Sequence, residues 1–419
     1  MRLLYTAILY LLTPLVLLRL VIRGLRAPAY WRGWGQRFGF IEPLRGGRPV
    51  WVHAVSVGEV QAALPLVRGL RERHPHCPLL VTTTTPTGAA RIGELFNDSV
   101  EHVYLPYDLP GAVSRFLDRV QPRLALIIET EIWPNLFAAC RHRDIPLMMV
   151  NARLSPRSAA GYRRVARLMR DTLGNVSVIA AHARADATRL TELGAPADRV
   201  RVTGNIKFDV QLPRSLLERA DALRRQCGAD RPVWIAASTH EGEDEIVLAA
   251  FQRVRERVPD ALLMLVPRHP ERFARVVERC RKTGYRVVQR STNEPCGPET
   301  DVFVGDTMGE LSLFYAAADV AFVGGSLIPS GGHNPLEPAA VGVPVVIGPH
   351  VFNFQEISGL LLDAGAARQV ADADQLAAAV VDWLRDGVRR NTAGEAGQAV
   401  VESNRGALDA VLKLVEGYL

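Results

Sequence analysis

Glu59 closes the string Ser56-Val57-Gly58-Glu59, between an apolar run, PVWVHAV, and a helical pattern, EVQAALPLVRGLRER. Gly58 permits a tight turn and close approach of a ligand to backbone. Helix N–H groups and the helix dipole favour an ionised carboxylate at that position, which suits a general base. A glutamate at a helix start is also an ordinary structural residue, and the tetrapeptide alone favours that simpler role. A second acidic string, Glu129-Thr130-Glu131-Ile132-Trp133-Pro134-Asn135, follows another apolar run; a functional loop and a solvated turn describe it equally well. Lys207, in TGNIKFD, draws its weight only from its place at the end of the last strand of the first half.

The second half carries groups suited to an anion. Arg268 stands between Pro267 and His269-Pro270 just past a strand, a rigid presentation for a phosphate or carboxylate. Met308, Gly309 and Glu310 open a helix after a strand ending at Asp306. Gly324-Gly325-Ser326 is followed by Ser330-Gly331-Gly332-His333-Asn334-Pro335-Leu336-Glu337. There Asn334 is expected to cap a helix whose first residue is Pro335. Glycines leading into a helix N-terminus suit phosphate, and Glu337 on the first turn could hold ribose hydroxyls. No metal site is expected. Asp372-Ala373-Asp374 has a metal-binding spacing but reads as a helix cap, and His74 and His76 flank Pro75 on a surface turn without partners. Neither a P-loop nor a G-x-S-x-G string is present.

The elements that must position these residues alternate regularly. Strands are expected at 49–55, 78–85, 102–108, 124–130, 146–152, 176–182 and 200–204, then at 233–238, 262–267, 285–290, 302–306, 320–325 and 344–349. Short apolar runs separated by helical segments imply parallel sheets covered on both faces. Residues 205–215 read as the linker between two doubly wound domains, 291–301 as a loop and 398–419 as helical. Ligands in such sheets bind at the carboxyl ends of strands, so the cleft between the domains is the expected site. The length of 419 residues favours two domains, and 48% hydrophobic with 22% charged residues is globular, not disordered. Five scattered cysteines form neither a zinc spacing nor a disulfide framework, which points to a reducing compartment.

Residues 3–22, LLYTAILYLLTPLVLLRLVI, are nearly all apolar, about the length that crosses a hydrocarbon core of about 30 Å. An uncleaved anchor, spanning the bilayer or lying partly in it, fits better than a signal peptide or a soluble core helix. The first acidic residue is Glu42, and Arg19, Arg23, Arg26, Arg32 and Arg37 lie on the C-terminal side, which places the main body in the cytoplasm. Tyr30, Trp31, Trp34 and Phe38 read as an interfacial belt, not a nucleic-acid arm.

Taken together, VSVGE, IIETEIWPN, NARLSPRS, TGNIKFD, VPRHPERF, DTMGEL and GGHNPLEP, in that order, resemble the 3-deoxy-D-manno-octulosonic acid (Kdo) transferases of lipopolysaccharide synthesis. The resemblance implies an α/β protein of the GT-B class: two facing Rossmann-like domains behind an N-terminal hydrophobic membrane-anchor helix. The divisions would be 1–26 (anchor and basic flank), 27–210 (acceptor domain), 211–400 (CMP-sugar-binding domain) and 401–419, a helix returning to the first domain. It implies CMP-Kdo as donor, lipid IVA as acceptor, the inner membrane as location with catalytic domains on the cytoplasmic side, no cofactor, no metal and no nucleic acid. Carried over residue by residue, Glu59 would be the proton acceptor, with Glu129 and Lys207 supporting the transition state. Pro267, Arg268, Met308, Gly309, Glu310, Asn334, Pro335, Leu336 and Glu337 would bind the CMP portion. Arg23, Arg26, Arg32, Arg37, Arg163, Arg164, Arg167 and Arg170 are candidates for the acceptor's phosphates, or for headgroups or solvent. Rival readings are a GT-B transferase using a UDP-sugar on a lipid, and an inactive nucleotide-binding scaffold on the membrane.

Overall fold

The structure, a computed structural model, describes residues 1–44, 46–96, 99–210, 212–213 and 215–419, without the side chain of Arg26. The chain divides into two compact units: Met1–Asp209 with Asn404–Leu419, and Val210–Ser403.

In the first unit, β1 (Val50–His53), β2 (Leu79–Thr83), β3 (Glu101–Tyr104), β4 (Leu124–Ile128), β5 (Leu147–Ala152), β6 (Val178–Ala181) and β7 (Val200–Val202) form one parallel sheet, ordered β3-β2-β1-β4-β5-β6-β7. Alternation along each strand fills two cores. Trp51, Ile127 and Met149 face one, with Phe116 and Phe137 from the helices; Val50, Val52, Leu126 and Val150 face the other, with Leu66 and Leu70. Strand order reverses between β1 and β4, so their carboxyl ends frame the place where such sheets receive ligands. Glu59 follows β1 and Glu129 follows β4.

The second unit repeats the plan with β8 (Val233–Thr239), β9 (Leu262–Pro267), β10 (Val287–Gln289), β11 (Val302–Val304), β12 (Val320–Val323), β13 (Val345–Ile347) and β14 (Ala367–Gln369), ordered β10-β11-β9-β8-β12-β13-β14 and parallel throughout. Its reversal lies between β8 and β12. β14 has no counterpart among the expected strands: Ala-Arg-Gln at a sheet edge carries no apolar run.

Three further expectations change. Residues 205–209 are not linker: Ile206 and Phe208 are fully buried in the first unit, and the crossing comes after Asp209. Gln211 and Arg214 of the expected linker lie outside the described residues. The closing segment is two helices, Gly387–Ser403 and Ala407–Glu416, broken at Gly406, whose φ of +97° suits glycine alone. Asp209 caps the second, its two carboxylate oxygens accepting from Gly406 N and Leu408 N at 2.8 Å each. That helix returns to the first unit, where Val411, Leu412 and Val415 complete the core around Leu66 and Leu70. His74, expected without a partner, lies 3.6 Å from Glu416. Asp372 does cap the helix Ala373–Arg385, accepting from Gln375 N at 2.9 Å.

Leu412 is buried against Gly69 and the helix Val57–Arg73. Leu412→Ala is expected to lower unfolding free energy by about 2–5 kcal/mol, read by urea denaturation. An unchanged midpoint would contradict the packing of the returning helix as part of the core.

Candidate active site

In the first unit the chain leaves β1 and turns at Ser56, the N-cap of the helix Val57–Arg73. Ser56 Oγ accepts from Glu59 N at 3.4 Å and donates to Glu59 Oε1 at 3.2 Å, while Val55 N donates to Glu59 Oε2 at 2.7 Å. This is a capping box in which the glutamate reaches one residue further back than usual. The structural role foreseen for Glu59 is therefore real, and it fixes the carboxyl at the switch point. The expected ionised state is not what results. Burial pushes the Glu59 carboxyl up to about 8; the Val55 N–H pulls down, the charges of Glu131 and Glu129 push up, and Ser56 pulls down last. Desolvation outweighs the cap.

Glu129 ends β4 with φ +59°, a left-handed conformation costing a side-chain-bearing residue about 1–3 kcal/mol. Its N–H stays in the sheet, donating to Val150 O at 2.8 Å. The twist sends its carboxylate to Lys207, with Nζ–Oε1 at 3.3 Å. Asn151 at the end of β5 also has positive φ, +56°. Its Oδ1 accepts from Ile206 N at 3.2 Å, and Asn205 Oδ1 accepts from Lys207 N at 3.0 Å, so the lysine sits on a fixed turn. Asn151, within NARLSPRS, had no assigned role; its left-handed backbone was the only signal, and it is not legible in sequence. Glu131 completes the group. Burial pushes it up to about 7 against the Trp133 indole, which opposes the rise without reaching hydrogen-bond geometry, and Glu129 adds to it. Three carboxyls and one ammonium thus share the carboxyl ends of β1 and β4.

In the second unit, Pro267 closes β9 and is buried. Arg268 N donates to Thr239 O at 3.0 Å, and its side-chain charge acts on Glu337 and His240. Asn334 Oδ1 accepts from Leu336 N at 3.1 Å and its Nδ2 donates to Glu337 Oε1 at 3.4 Å. Asn334 therefore supplies the capping bond, but the helix is only Leu336–Ala340, with Pro335 just before it. Burial raises the Glu337 carboxyl, with Asn334 and Arg268 opposing.

The glycine loop also differs from expectation. Its N–H groups do not stand open for a phosphate. Glu243, fully buried, accepts from Gly325 N (2.7 Å), Ser326 N, Leu327 N and His240 N (3.0 Å each). An internal carboxylate fills the nest. Gly324 is required for close approach: a Cβ there would meet Ser238 O at 2.6 Å. Met308 is exposed, and Gly309, φ +82°, faces open space. Glu310 is engaged within the unit, taking both arms of Arg290 at 2.9 Å, Arg219 at 3.2 Å and Thr307 at 2.7 Å, and Arg290 foremost holds it below the usual carboxylate range. A histidine cluster that sequence reading missed stands beside Arg268: His240 Nε2 lies 2.8 Å from His333 Nε2, and His269 meets the His240 ring edge-on. Burial foremost, then His269 and two arginines, pushes His240 down to about 4. Of the arginine candidates, Arg37 is buried, donating to Thr84 O at 2.9 Å and stacking on Tyr104, and Arg163 pairs with Glu192 at 2.9 Å.

Residues 32–210 match the family profile described as 3-deoxy-D-manno-octulosonic-acid transferase (kdotransferase), and residues 233–400 that of glycosyl transferases group 1. Over 421 residues the chain is 44% identical to the 3-deoxy-D-manno-octulosonic acid transferase of Haemophilus influenzae, covering 100% of this chain and 99% of that protein. The chain belongs to the Kdo transferase family. The Bordetella pertussis protein of the same name is 40% identical over 429 residues, covering 99% of both. In fold, Staphylococcus aureus MnaA, solved with UDP, matches 89% of this chain and 97% of its own at TM-score 0.51 and 14% identity, a likeness of fold alone. This Kdo transferase is thus a glycosyltransferase of lipopolysaccharide biosynthesis, with the two Rossmann-like units of the GT-B class.

Removing the Glu243 carboxylate leaves four N–H donors without their acceptor, each costing about 1–3 kcal/mol where water does not reach. Glu243→Ala is expected to lower the unfolding free energy, read by urea denaturation, by at least about 3 kcal/mol, whereas exposed Glu241→Ala stays within about 0.5 kcal/mol. Equal midpoints for the two variants would contradict this role.

Proposed function

We propose that this Kdo transferase moves Kdo from CMP-Kdo to the lipid A precursor lipid IVA, with inversion at the anomeric carbon and Glu59 as general base. The observation that carries the reading is the Glu59 carboxyl, fixed by its cap at the β1–β4 reversal and raised to about 8. A base whose pKa lies near the working pH combines availability with proton-accepting power. The acceptor hydroxyl gives its proton to a Glu59 oxygen as its own oxygen bonds to the anomeric carbon. The bond from that carbon to the CMP phosphate oxygen breaks in the same displacement, which inverts the centre. Lys207, oriented by Glu129 at 3.3 Å, supplies the positive charge among three carboxyls and steadies the transition state.

The second unit takes the donor. Arg268 meets the charge growing on the CMP phosphate, with Pro267 fixing its backbone. Since Glu243 occupies the glycine loop, phosphate recognition falls to Arg268 and not to that loop. Of the four residues 334–337, Asn334 and Glu337 supply the polar groups for the nucleoside, the raised Glu337 carboxyl being suited to ribose hydroxyls, while the buried Pro335 and Leu336 shape the turn behind them. From 308–310, the exposed Met308 side chain and the open backbone at Gly309 are the contacts on offer, while Glu310 holds the turn through Arg290 and Arg219. On this reading residues 27–210 form the acceptor domain and 211–400 the donor domain, and 401–419 is the helix that returns to the acceptor domain. No cofactor, metal or nucleic acid takes part, and the enzyme works at the cytoplasmic face of the inner membrane, held by its N-terminal helix.

Glu59→Gln is expected to reduce transfer by about 10²–10⁴-fold while CMP-Kdo binding, read by calorimetry, stays within a factor of about two; near-normal turnover would sink the assignment. For the wild type, a raised carboxyl means the basic form is scarce at pH 6 and dominant above 8. The logarithm of kcat/KM is therefore expected to rise with slope near one up to about pH 8 and then level. A profile already flat from pH 6 would contradict Glu59 as the titrating base.

A further inference from the structure

The helix Arg2–Arg26 is long and apolar enough to cross a membrane. A crossing helix, however, must leave the body of the protein. At 1.5 Å per residue, Thr6 would stand about 30 Å along the axis from Arg26. Instead the N-terminal turn touches the body of the first unit, and the C-terminal end packs on the turn that follows it. Thr6 Oγ1 donates to Asn135 Oδ1 at 3.0 Å. The Tyr5 hydroxyl and the charge of Arg2 act on the buried Asp108 carboxyl, which accepts from Asn135 N at 3.0 Å and Leu136 N at 2.7 Å. At the other end Gly24 lies against the Trp31 indole, where a Cβ would meet Nε1 at 2.5 Å, and Arg23 stands over Tyr30.

Between these ends, the partly or fully covered side chains include Tyr5, Leu9, Thr13, Leu17 and Leu20, with Gly24 closing the series. Steps of three and four make this one stripe along the helix. Leu3, Leu11, Leu15, Leu18 and Leu25, all more than half exposed, lie off it. Arg2, Arg19 and Arg23 accompany the leucines, no acid occurs before Glu42, and exposed Trp31 and Phe40 stand nearby. Leucines with basic and aromatic neighbours match the surface of an anionic bilayer.

We propose that this helix does not cross the membrane but lies in the plane of an anionic bilayer surface, its covered stripe docked on the first unit and its leucine face in the lipid. Pulling it upright would strip Asp108 and Asn135, 4% and 6% exposed, of Tyr5 and Thr6. The consequence for catalysis rests on the function proposed above. Asn135 stands six residues after Glu129, so the segment that docks the helix also carries the acids beside Glu59. Lipid held at that surface meets the first unit next to its catalytic group.

The test uses the full chain in its native membrane. Thr6→Cys with Asn135→Cys is expected to be joined by a short bis-methanethiosulfonate reagent, and Leu18→Cys with Asn135→Cys is not. Because the first pair disturbs the docking bonds, Arg2→Cys alone, at an exposed polar position at the head of the helix and off the leucine face, gives an independent readout. An impermeant maleimide is expected to label it from the same membrane side as the surface marker Glu94→Cys. Labelling of Arg2→Cys only from the opposite side would overturn the proposal. Kdo transfer by detergent-solubilised chain is read in parallel, so a crossing helix in an active enzyme refutes the docking alone, and an inactive enzyme with a docked helix refutes the function alone.

Discussion

A carboxyl group withdrawn from water yet held at a strand end by hydrogen bonds is the constraint on which the first unit is organised. Glu59 is where three demands meet. The helix Val57–Arg73 needs an acceptor for its first N–H groups, the β1–β4 reversal needs a turn there, and the reaction proposed above needs a base. The cap meets the first two with Ser56 and Val55. Its cost is desolvation, and the neighbouring carboxyls of Glu131 and Glu129 add to it. The same conflict that makes the ionised form expensive makes it a stronger proton acceptor once formed. Lys207 is the counterweight, and the left-handed backbones of Glu129 and Asn151 show that the sheet accepts local strain to bring it into place.

The second unit solves a related problem in the opposite way. Where a glycine loop at a strand end commonly presents N–H groups to a ligand phosphate, Glu243 satisfies them permanently. The loop becomes a rigid floor. Under the function proposed above, anion recognition then falls to Arg268 at the end of β9, beside which the histidines stand. Glu310, tied to Arg290 and Arg219, stiffens the next turn in the same manner. In the proposed reaction one unit offers an acceptor of protons and the other a receiver of negative charge, the two halves of a displacement with an anionic leaving group.

Much of the fold could be read from the chain because the information is local. Runs such as VWVH and LALII announce strands buried on both faces, and the Ser56-to-Glu59 spacing announces a cap. What failed was set by tertiary contact. The strand Ala367–Gln369 has no apolar pattern of its own and exists because β13 offers it an edge. Ile206 and Phe208 looked like linker because two apolar residues in a polar string give no period, yet they plug the core. The direction of the Glu59 shift was misjudged because the helix terminus is visible in sequence and burial is not. Glu243 and Gly325 are 82 residues apart, and no local pattern in the chain connects them.

The proposed reaction turns on the protonation of one group. Carbon-13 NMR of glutamate side-chain carboxyls, with the Glu59 resonance assigned by its loss in Glu59→Gln, measures that directly in the unliganded chain. The account predicts a titration midpoint at about 8 for this resonance. A midpoint near the ordinary glutamate value of about 4.3 would contradict it, because the carboxyl would then be a hydrated surface acid and not the buried group that the proposed reaction uses as its base.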